Sequence, residues 1–150
     1  MLGVGEIAPD FTIPSAEGSP RTLSSYRGRP VILFFFPKAN TTGCTLETRG
    51  FAERYPRFQQ AGIEVIGVSV DTPDTQTAFA EKCGSQFPMV GDPSGEIARK
   101  YGVMGFLGVT KRVTFFLDPE GRVKDVVEGL LPGGHLKAGD RWSGSIRPPA

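Results

Sequence analysis

A short, wholly apolar segment constrains this chain most. Residues 31–36 read Val-Ile-Leu-Phe-Phe-Phe and lie between Pro30 and Pro37. Six consecutive apolar residues between two prolines are typical of a β-strand that is buried on both faces, with other layers packed on each side of its sheet. We therefore expect this segment to be a central strand of an α/β domain. The segment is also the longest apolar run in the sequence and is too short to cross a membrane.

Strand and helix patterns alternate along the rest of the chain. Pro56 lies within the first helical pattern and should kink or interrupt it, because proline has no N–H to donate and crowds the carbonyl of Ala52. Thr72 and Gly84 are a predicted cap and stop for the second helix. The order predicts an α/β fold in which a central mixed β-sheet is flanked by helices. Strands are expected at 63–70, 113–117 and 122–127, short strands between 10 and 23, and helices at 44–61, 73–83 and 95–101.

The C-terminal residues differ in composition from the rest of the 150-residue chain. Seven of the last 20 residues are Gly or Pro, and no apolar periodicity is visible there. We expect one domain over residues 1–130, followed by a Gly/Pro-rich tail over 131–150 that is partly disordered. The single histidine, His135, lies in this tail and is predicted not to be a ligand.

Charge and cysteine content exclude several classes of function. The 17 basic and 16 acidic residues give a net charge of +1, which argues against a nucleic acid or an anionic membrane as the main partner. Two cysteines are too few for a disulfide scaffold, and residues 1–6 lack the features of a signal peptide, so we expect a cytoplasmic location. We expect no metal site, because one histidine and two distant cysteines are too few ligands. We expect no cofactor, because the sequence contains no nucleotide-binding motif.

Cys44 is the residue that most clearly indicates chemistry. It follows the buried strand and falls in the first turn of the predicted helix, where free N–H groups and the helix dipole favour thiolate over thiol. Thr41 provides a hydroxyl just before it, and Gly43 permits close approach of a ligand to the backbone. The alternative interpretation is that Cys44 is a small buried residue that packs the start of the helix.

The spacing of Pro37, Thr41 and Cys44 resembles the Pro-x-x-x-Thr-x-x-Cys motif of peroxiredoxins. The wider pattern Phe-Pro-Lys…Gly-Cys-Thr-x-Glu is similar to the bacterioferritin comigratory protein, or peroxiredoxin Q, branch of that family. The resemblance covers most of residues 5–130 and implies a thioredoxin-like fold. Further matches occur at 65–71, 87–92, 101–103 and 112–115.

The resemblance implies a thiol-dependent peroxidase that reduces hydrogen peroxide and organic hydroperoxides. Cys44 matches the peroxidatic cysteine, which attacks the O–O bond and becomes a sulfenic acid. Thr41 matches the threonine that bridges thiolate and peroxide, and Pro37 matches the proline that shields the site. Arg112 matches the arginine over the thiolate, which Glu47 helps to hold. Taken alone, Arg112 would more readily be interpreted as an ordinary surface residue at the start of a strand.

The second cysteine departs from the commonest pattern of this branch. Many relatives carry a resolving cysteine five residues after the first, where this chain has Arg49. Cys83 resembles the resolving cysteine that a subset places on the second helix. The resemblance then implies a Cys44–Cys83 disulfide that a thioredoxin-like dithiol protein reduces. A disulfide needs Cα atoms within about 7 Å, so we expect the first turn after Cys44 and the end of the second helix to unwind, with residues 40–50 and 78–86 as the low-stability part of the domain.

Three alternatives to a two-cysteine peroxidase remain open. Cys83 could be a structural core residue, in which case the chain is a one-cysteine peroxiredoxin reduced directly by an outside thiol. A disulfide reductase would need a second thiol near Cys44, and Glu47 occupies that position instead. A non-enzymatic binding or holdase module would use the apolar stretch that contains Phe106 and Leu107, which could also be a flap or a self-association patch. We expect a monomer or weak homodimer.

Overall fold

The computed structural model describes residues 1–14 and 19–146, which form a mixed five-stranded sheet with helices on both faces. A separate two-stranded ribbon precedes the sheet, and no helix in the described part of the chain is long and apolar enough to cross a membrane. The strands are β1 (Thr12–Ile13), β2 (Arg21–Thr22), β3 (Val31–Phe35), β4 (Glu64–Ser69), β5 (Met89–Gly91), β6 (Val113–Leu117) and β7 (Val123–Glu128). The helices are α1 (Thr42–Gln60), α2 (Pro73–Cys83), α3 (Glu96–Tyr101) and α4 (Pro132–Ser145).

The central strand β3 organises the sheet, whose order is β5-β4-β3-β6-β7. It pairs parallel with β4 and antiparallel with β6, so that Leu33 lies between Ile66 and Phe115. All five of its residues are buried, which confirms the expected doubly covered strand. Its side chains alternate between two cores. Val31, Leu33 and Phe35 enter one of them, and Ile32 and Phe34 enter the other.

Helices α1, α2 and α4 cover one face of the sheet, while α3 and the N-terminal segment cover the other. Tyr55 and Phe58 of α1 are buried as predicted, but Pro56 between them does not interrupt the helix. A proline inside a helix costs about 3 kcal/mol. Burial of two aromatic side chains, each contributing about 1.5–3 kcal/mol, offsets that cost.

Helix α2 matches its predicted limits. Thr72 caps its start by accepting a hydrogen bond from the backbone N–H of Thr75, and Pro73 is its first residue. Gly84 ends it in the left-handed conformation, with φ of 71°. The expected hairpin is present as β6 and β7, and the expected short strands are present as β1 and β2. Strand β5 was not predicted because three residues are too few to show a period.

Helix α4 corrects the expectation of disorder for residues 132–145, while residues 147–150 lie outside the described residues. Its glycines lower intrinsic helix propensity and hide any apolar period. One of them, Gly139, instead lets the helix lie close to α1, since a Cβ there would be 3.4 Å from Phe51. Trp142 packs on Phe116 with ring centroids 5.1 Å apart. Tertiary packing therefore stabilises a helix that its local sequence does not favour.

Candidate active site

Cys44 lies in the first turn of α1, immediately after the loop that leaves β3, and its side chain is buried. A hydrogen-bond network from the end of β4 and the turn that follows it fixes that loop. The backbone N–H of Ala39 donates to Asp71 Oδ2 at 2.8 Å, and Ser69 Oγ donates to the same oxygen at 2.6 Å. Asn40 adopts a left-handed conformation with φ of 66°. The cysteine is therefore held at the end of a rigid strand by contacts that continue into the core.

Arg112 lies just before β6 and is buried beside Cys44. Its Nη2 donates to Cys44 Sγ at 3.4 Å, its Nη1 to Glu47 Oε1 at 2.5 Å, and its Nε to the carbonyl of Leu130 at 2.9 Å. Burial opposes the charge of this guanidinium, but Glu47 and Cys44 outweigh that effect and raise the pKa of Arg112. A permanent positive charge thus lies directly at the sulfur.

Glycine at position 43 is necessary for the close approach of the Arg112 guanidinium to Cys44. A Cβ at position 43 would lie 2.9 Å from Nη2 of Arg112, which is closer than real Cβ contacts allow. The sequence predicted that this glycine admits a ligand to the backbone, whereas in the structure the nearest group is the guanidinium. The structure brings Gly43, Cys44, Glu47 and Arg112 together.

Glu47 is fully buried, and only one of its two carboxyl oxygens has a hydrogen-bond partner within the described residues. Its Oε1 binds Arg112, while within the described part of the chain its Oε2 has no hydrogen-bond partner. Burial raises the pKa of Glu47 to about 7, although Arg112 acts in the opposite direction. The carboxyl group therefore changes protonation in the neutral range.

His135 is a site residue that the sequence did not reveal, because it stands among glycines in the predicted tail. It is 1% exposed, and its Nδ1 lies 2.7 Å from Thr114 Oγ1 and 3.8 Å from Glu47 Oε2. Its Nε2 lies 2.9 Å from the carbonyl oxygen of Gly129. Burial lowers the pKa of His135. Only the folding of α4 against the sheet places this imidazole beside Glu47.

Thr41 and Pro37 lie at the rim of the site. The Thr41 hydroxyl is exposed and donates to the carbonyl of Lys38 at 2.8 Å, so in this structure it does not cap α1. Pro37 is half-buried and lines a largely apolar cleft together with Phe106, Val109 and Arg112. This cleft leads from the surface to the guanidinium.

Cys83 is the last residue of α2, and both cysteines are free thiols. It belongs to the same apolar cluster as Cys44, together with Phe36 and Phe79. Burial raises the pKa of Cys83, although Arg49 acts in the opposite direction. Among the described residues, no group of three or more His, Cys, Asp and Glu side chains is arranged to hold a metal ion. The site is therefore built around sulfur, a guanidinium and a carboxyl group.

Comparison with known proteins gives concordant matches. Residues 4–126 match the AhpC/TSA family. The chain is 32% identical to peroxiredoxin Bcp of Escherichia coli over 148 residues, which is 94% of this chain and 95% of that protein. It is similar to the crystal structure of peroxidoxin BcpB from Mycobacterium tuberculosis, with a TM-score of 0.87, 33% identity and coverage of 98% and 99%. It is also similar to the bacterioferritin comigratory protein of Xanthomonas campestris, whose structure concerns alkyl peroxide reduction, with a TM-score of 0.81, 29% identity and 90% coverage of both chains.

Proposed function

The chain belongs to the AhpC/TSA family and is a peroxiredoxin, a thiol-dependent peroxidase with a thioredoxin-like fold, and from this premise we propose that Cys44 is the residue that attacks the peroxide. One observation carries the proposal. The Cys44 sulfur lies 3.4 Å from the buried guanidinium of Arg112 at the N-terminus of α1. A positive charge and a helix N-terminus both stabilise a thiolate, which is the nucleophilic form of cysteine.

The first step is a displacement at oxygen. The Cys44 thiolate attacks one oxygen of the hydroperoxide, a new S–O bond forms, and the O–O bond breaks. The bonding electron pair leaves with the other oxygen, which takes a proton and departs as an alcohol or, from hydrogen peroxide, as water. Cys44 is oxidised to a sulfenic acid. Arg112 stabilises the negative charge that develops on the departing oxygen, and the Thr41 hydroxyl bridges thiolate and peroxide after it leaves the Lys38 carbonyl.

The second step is resolution by Cys83. Its sulfur attacks the sulfenic sulfur of Cys44, a disulfide forms, and the hydroxyl group leaves as water with the thiol proton. Both cysteines are in one apolar cluster, but each is buried in a helix. The first turn of α1 and the end of α2 unwind to bring the Cα atoms within about 7 Å. An external dithiol protein of the thioredoxin type then reduces the disulfide.

The substrates are hydrogen peroxide and small organic hydroperoxides. The apolar cleft that ends at Arg112 offers a surface for an alkyl group, and Pro37 and Glu47 complete the site by excluding water and by holding the guanidinium. The Xanthomonas relative is associated with alkyl peroxide reduction, which supports the same substrate class here. The protein acts in the cytoplasm as a monomer or weak homodimer.

Intact-mass analysis after one equivalent of hydrogen peroxide tests the two steps. The wild type should lose two hydrogen atoms, which marks an internal disulfide. Cys83→Ser should gain one oxygen atom at Cys44 instead, and Cys44→Ser should remain unchanged.

Two results would overturn parts of the proposal. Gain of oxygen by the wild type would favour a one-cysteine peroxidase with a structural Cys83. Peroxide consumption that survives Cys44→Ser would remove Cys44 from the reaction.

A further inference from the structure

A buried histidine beside the Arg112–Glu47 pair has no part in the function proposed above. His135 lies on α4 and is 1% exposed, and Glu47 is fully buried. The Nδ1 atom of His135 lies 3.8 Å from the Oε2 atom of Glu47, which is a distance for charge interaction and not for a hydrogen bond. This Oε2 has no hydrogen-bond partner within the described residues.

The hydrogen-bond partners of His135 limit its protonation. The carbonyl oxygen of Gly129 only accepts, so Nε2 carries a hydrogen and donates to it at 2.9 Å. In neutral imidazole Nδ1 is then an acceptor for the Thr114 hydroxyl, and in the charged form Nδ1–H donates to that hydroxyl. With His135 neutral and Glu47 ionised, the buried Oε2 would have no hydrogen-bond donor within the described residues and no positive charge on the imidazole to compensate its own charge. One proton, on either the imidazole or the carboxyl group, provides that compensation.

We propose that His135 is a positioning residue of the peroxidatic site: together with Glu47 it keeps one proton in the buried site, carried by one group or the other, and it helps to fix the segment that orients Arg112. The inference rests on the proposed function of Cys44. Burial, which raises the pKa of Glu47 to about 7 and lowers that of His135, is consistent with one proton held between them in the neutral range.

The segment between β7 and α4 is where His135 acts on Arg112. His135 binds the carbonyl of Gly129, and the next carbonyl, that of Leu130, accepts from Nε of Arg112 at 2.9 Å. The side chains of Leu130 and Leu131 are 84% and 78% exposed, so burial of these residues does not hold the segment. The segment is instead held by the imidazole and by a backbone hydrogen bond from the N–H of Gly129 to the carbonyl of Arg112 at 3.3 Å, which together place the carbonyl that helps to orient the guanidinium.

The shared proton also sets the charge of the buried site. When this proton is present, the net charge of the site is zero, whether Glu47 or His135 carries the proton. The sum includes the Cys44 thiolate and Arg112. Without the proton, the site has one net negative charge, which opposes the negative charge that develops on the peroxide oxygen.

Within the described residues, two carboxylates on the elements packed around the pair have partners of their own. On α4, Asp140 is paired with Arg54 and Arg57 of α1. On β7, Glu128 is paired with Lys111. Within the described residues, Arg112 is the charged group hydrogen-bonded to Glu47, and it also donates to Cys44. Proton loss therefore acts on the reacting sulfur through Arg112.

The test is the pH profile of Cys44 oxidation by hydrogen peroxide in a Cys83→Ser background, followed from pH 5 to 9 by rapid alkylation and intact mass. With His135 present, the rate constant should fall as the shared proton is lost. His135→Gln keeps a donor for Gly129 but cannot hold the proton, so this fall should move to lower pH by about one unit, with a rate about tenfold lower at pH 8. His135→Ala loses both contacts and should be slower still.

Asp140→Asn is the matched control, because it weakens the docking of α4 on α1 without touching the site. It should keep the pH profile of the His135 protein. The inference is overturned if His135→Gln has the same pH profile as the protein with His135, or if Asp140→Asn shifts the profile as His135→Gln does. Either result leaves the proposed function intact. If Cys44 in the His135 protein reacts no faster than a free cysteine, the proposed function itself fails. Should His135→Ala not fold, the His135→Gln profile decides alone.

Discussion

At the scale of single residues, the site depends on one guanidinium that serves three partners. Arg112 donates to a sulfur, a carboxylate and a carbonyl from three of its nitrogen atoms. A lysine ammonium is a point charge on a flexible chain and does not reproduce this planar fork. The identity of residue 112 therefore matters as much as its charge.

Gly43→Ala should slow the reaction of Cys44 with peroxide. The added methyl group would lie 2.9 Å from Arg112 Nη2, so the guanidinium must move away from the sulfur. Loss of one well-placed donor costs about 10²–10³ in rate at comparable sites, and we expect a decrease toward the lower end. Stopped-flow peroxide consumption measures it.

Gly144→Ala is the control for this substitution, because among the described residues no atom outside its own stretch of helix backbone lies within 4 Å of a Cβ at that position. It should keep the wild-type rate. Equal rates for wild type and Gly43→Ala would show that the close approach of Arg112 is not needed for the reaction.

Glu47→Gln should change how stability depends on pH. Burial raises the pKa of Glu47 from 4.5 to about 7, so the folded protein binds a proton that the unfolded chain has lost. The stabilisation is therefore fully present below pH 4.5 and is lost as pH rises through 7. Relative to Glu47→Gln, the free energy of unfolding of the wild type should fall by up to about 3 kcal/mol between pH 5 and 8.

Urea denaturation of both proteins at each pH measures this difference. The wild-type curve alone is not sufficient, because burial lowers the pKa of His135 and gives a contribution of opposite sign. A constant difference between the two proteins from pH 5 to 8 would mean that Glu47 keeps the same charge when folded and unfolded.

At the scale of secondary-structure elements, the two cysteines lie where helices begin and end. Cys44 is in the first turn of α1, and Cys83 is the last residue of α2, followed by a left-handed Gly84. Helix ends carry backbone groups without helical partners and open at lower free energy than helix centres. The positions suit a reaction in which both ends unwind.

Oxidation to the disulfide should accelerate amide hydrogen exchange over residues 42–48 and 80–85 by at least about tenfold, because the proposed resolution step unwinds the helix turns that hold both cysteines. Strand β3 should keep its protection and serves as an internal reference. Exchange measured by mass spectrometry on reduced and peroxide-treated protein makes the comparison. Unchanged protection in both segments of a protein that has formed the disulfide would contradict the unwinding.

At the scale of the whole molecule, an apolar surface surrounds the entrance to the site. Phe106 and Leu107 are 94% and 98% exposed, and Leu107 has a left-handed φ of 62°. Phe106 and Leu130 line the cleft that ends at Arg112. An exposed apolar patch of this kind is typical of a binding surface.

Phe106→Ser combined with Leu107→Ser should slow turnover of an aryl or alkyl hydroperoxide several-fold and leave hydrogen peroxide turnover unchanged. Apolar contact contributes about 25 cal/mol per Å² buried, and only the organic substrate has apolar surface to bury. Parallel kcat/KM measurements with cumene hydroperoxide and hydrogen peroxide make the comparison. Equal losses with both substrates would assign the patch to the stability of the loop.

Much of this fold was predictable because its signals are local. The doubly buried β3 and the caps of α2 follow from adjacent residues. The position of Cys44 after a buried strand and at a helix start is likewise local, and it is sufficient to suggest a reactive thiol.

The chain alone therefore determined the strand–loop–helix unit, the order of elements and the resemblance carried by Pro37, Thr41 and Cys44. Only the tertiary structure showed that α4 is a helix, since its glycines gain stability from close contact with α1 and not from local propensity. The resemblance implied that Glu47 holds Arg112, 65 residues away, but only the tertiary structure showed that His135 lies beside Glu47 across 88 residues of sequence. Contacts at such separation leave no periodic trace in the sequence, because they arise when distant segments fold against the same face of one sheet.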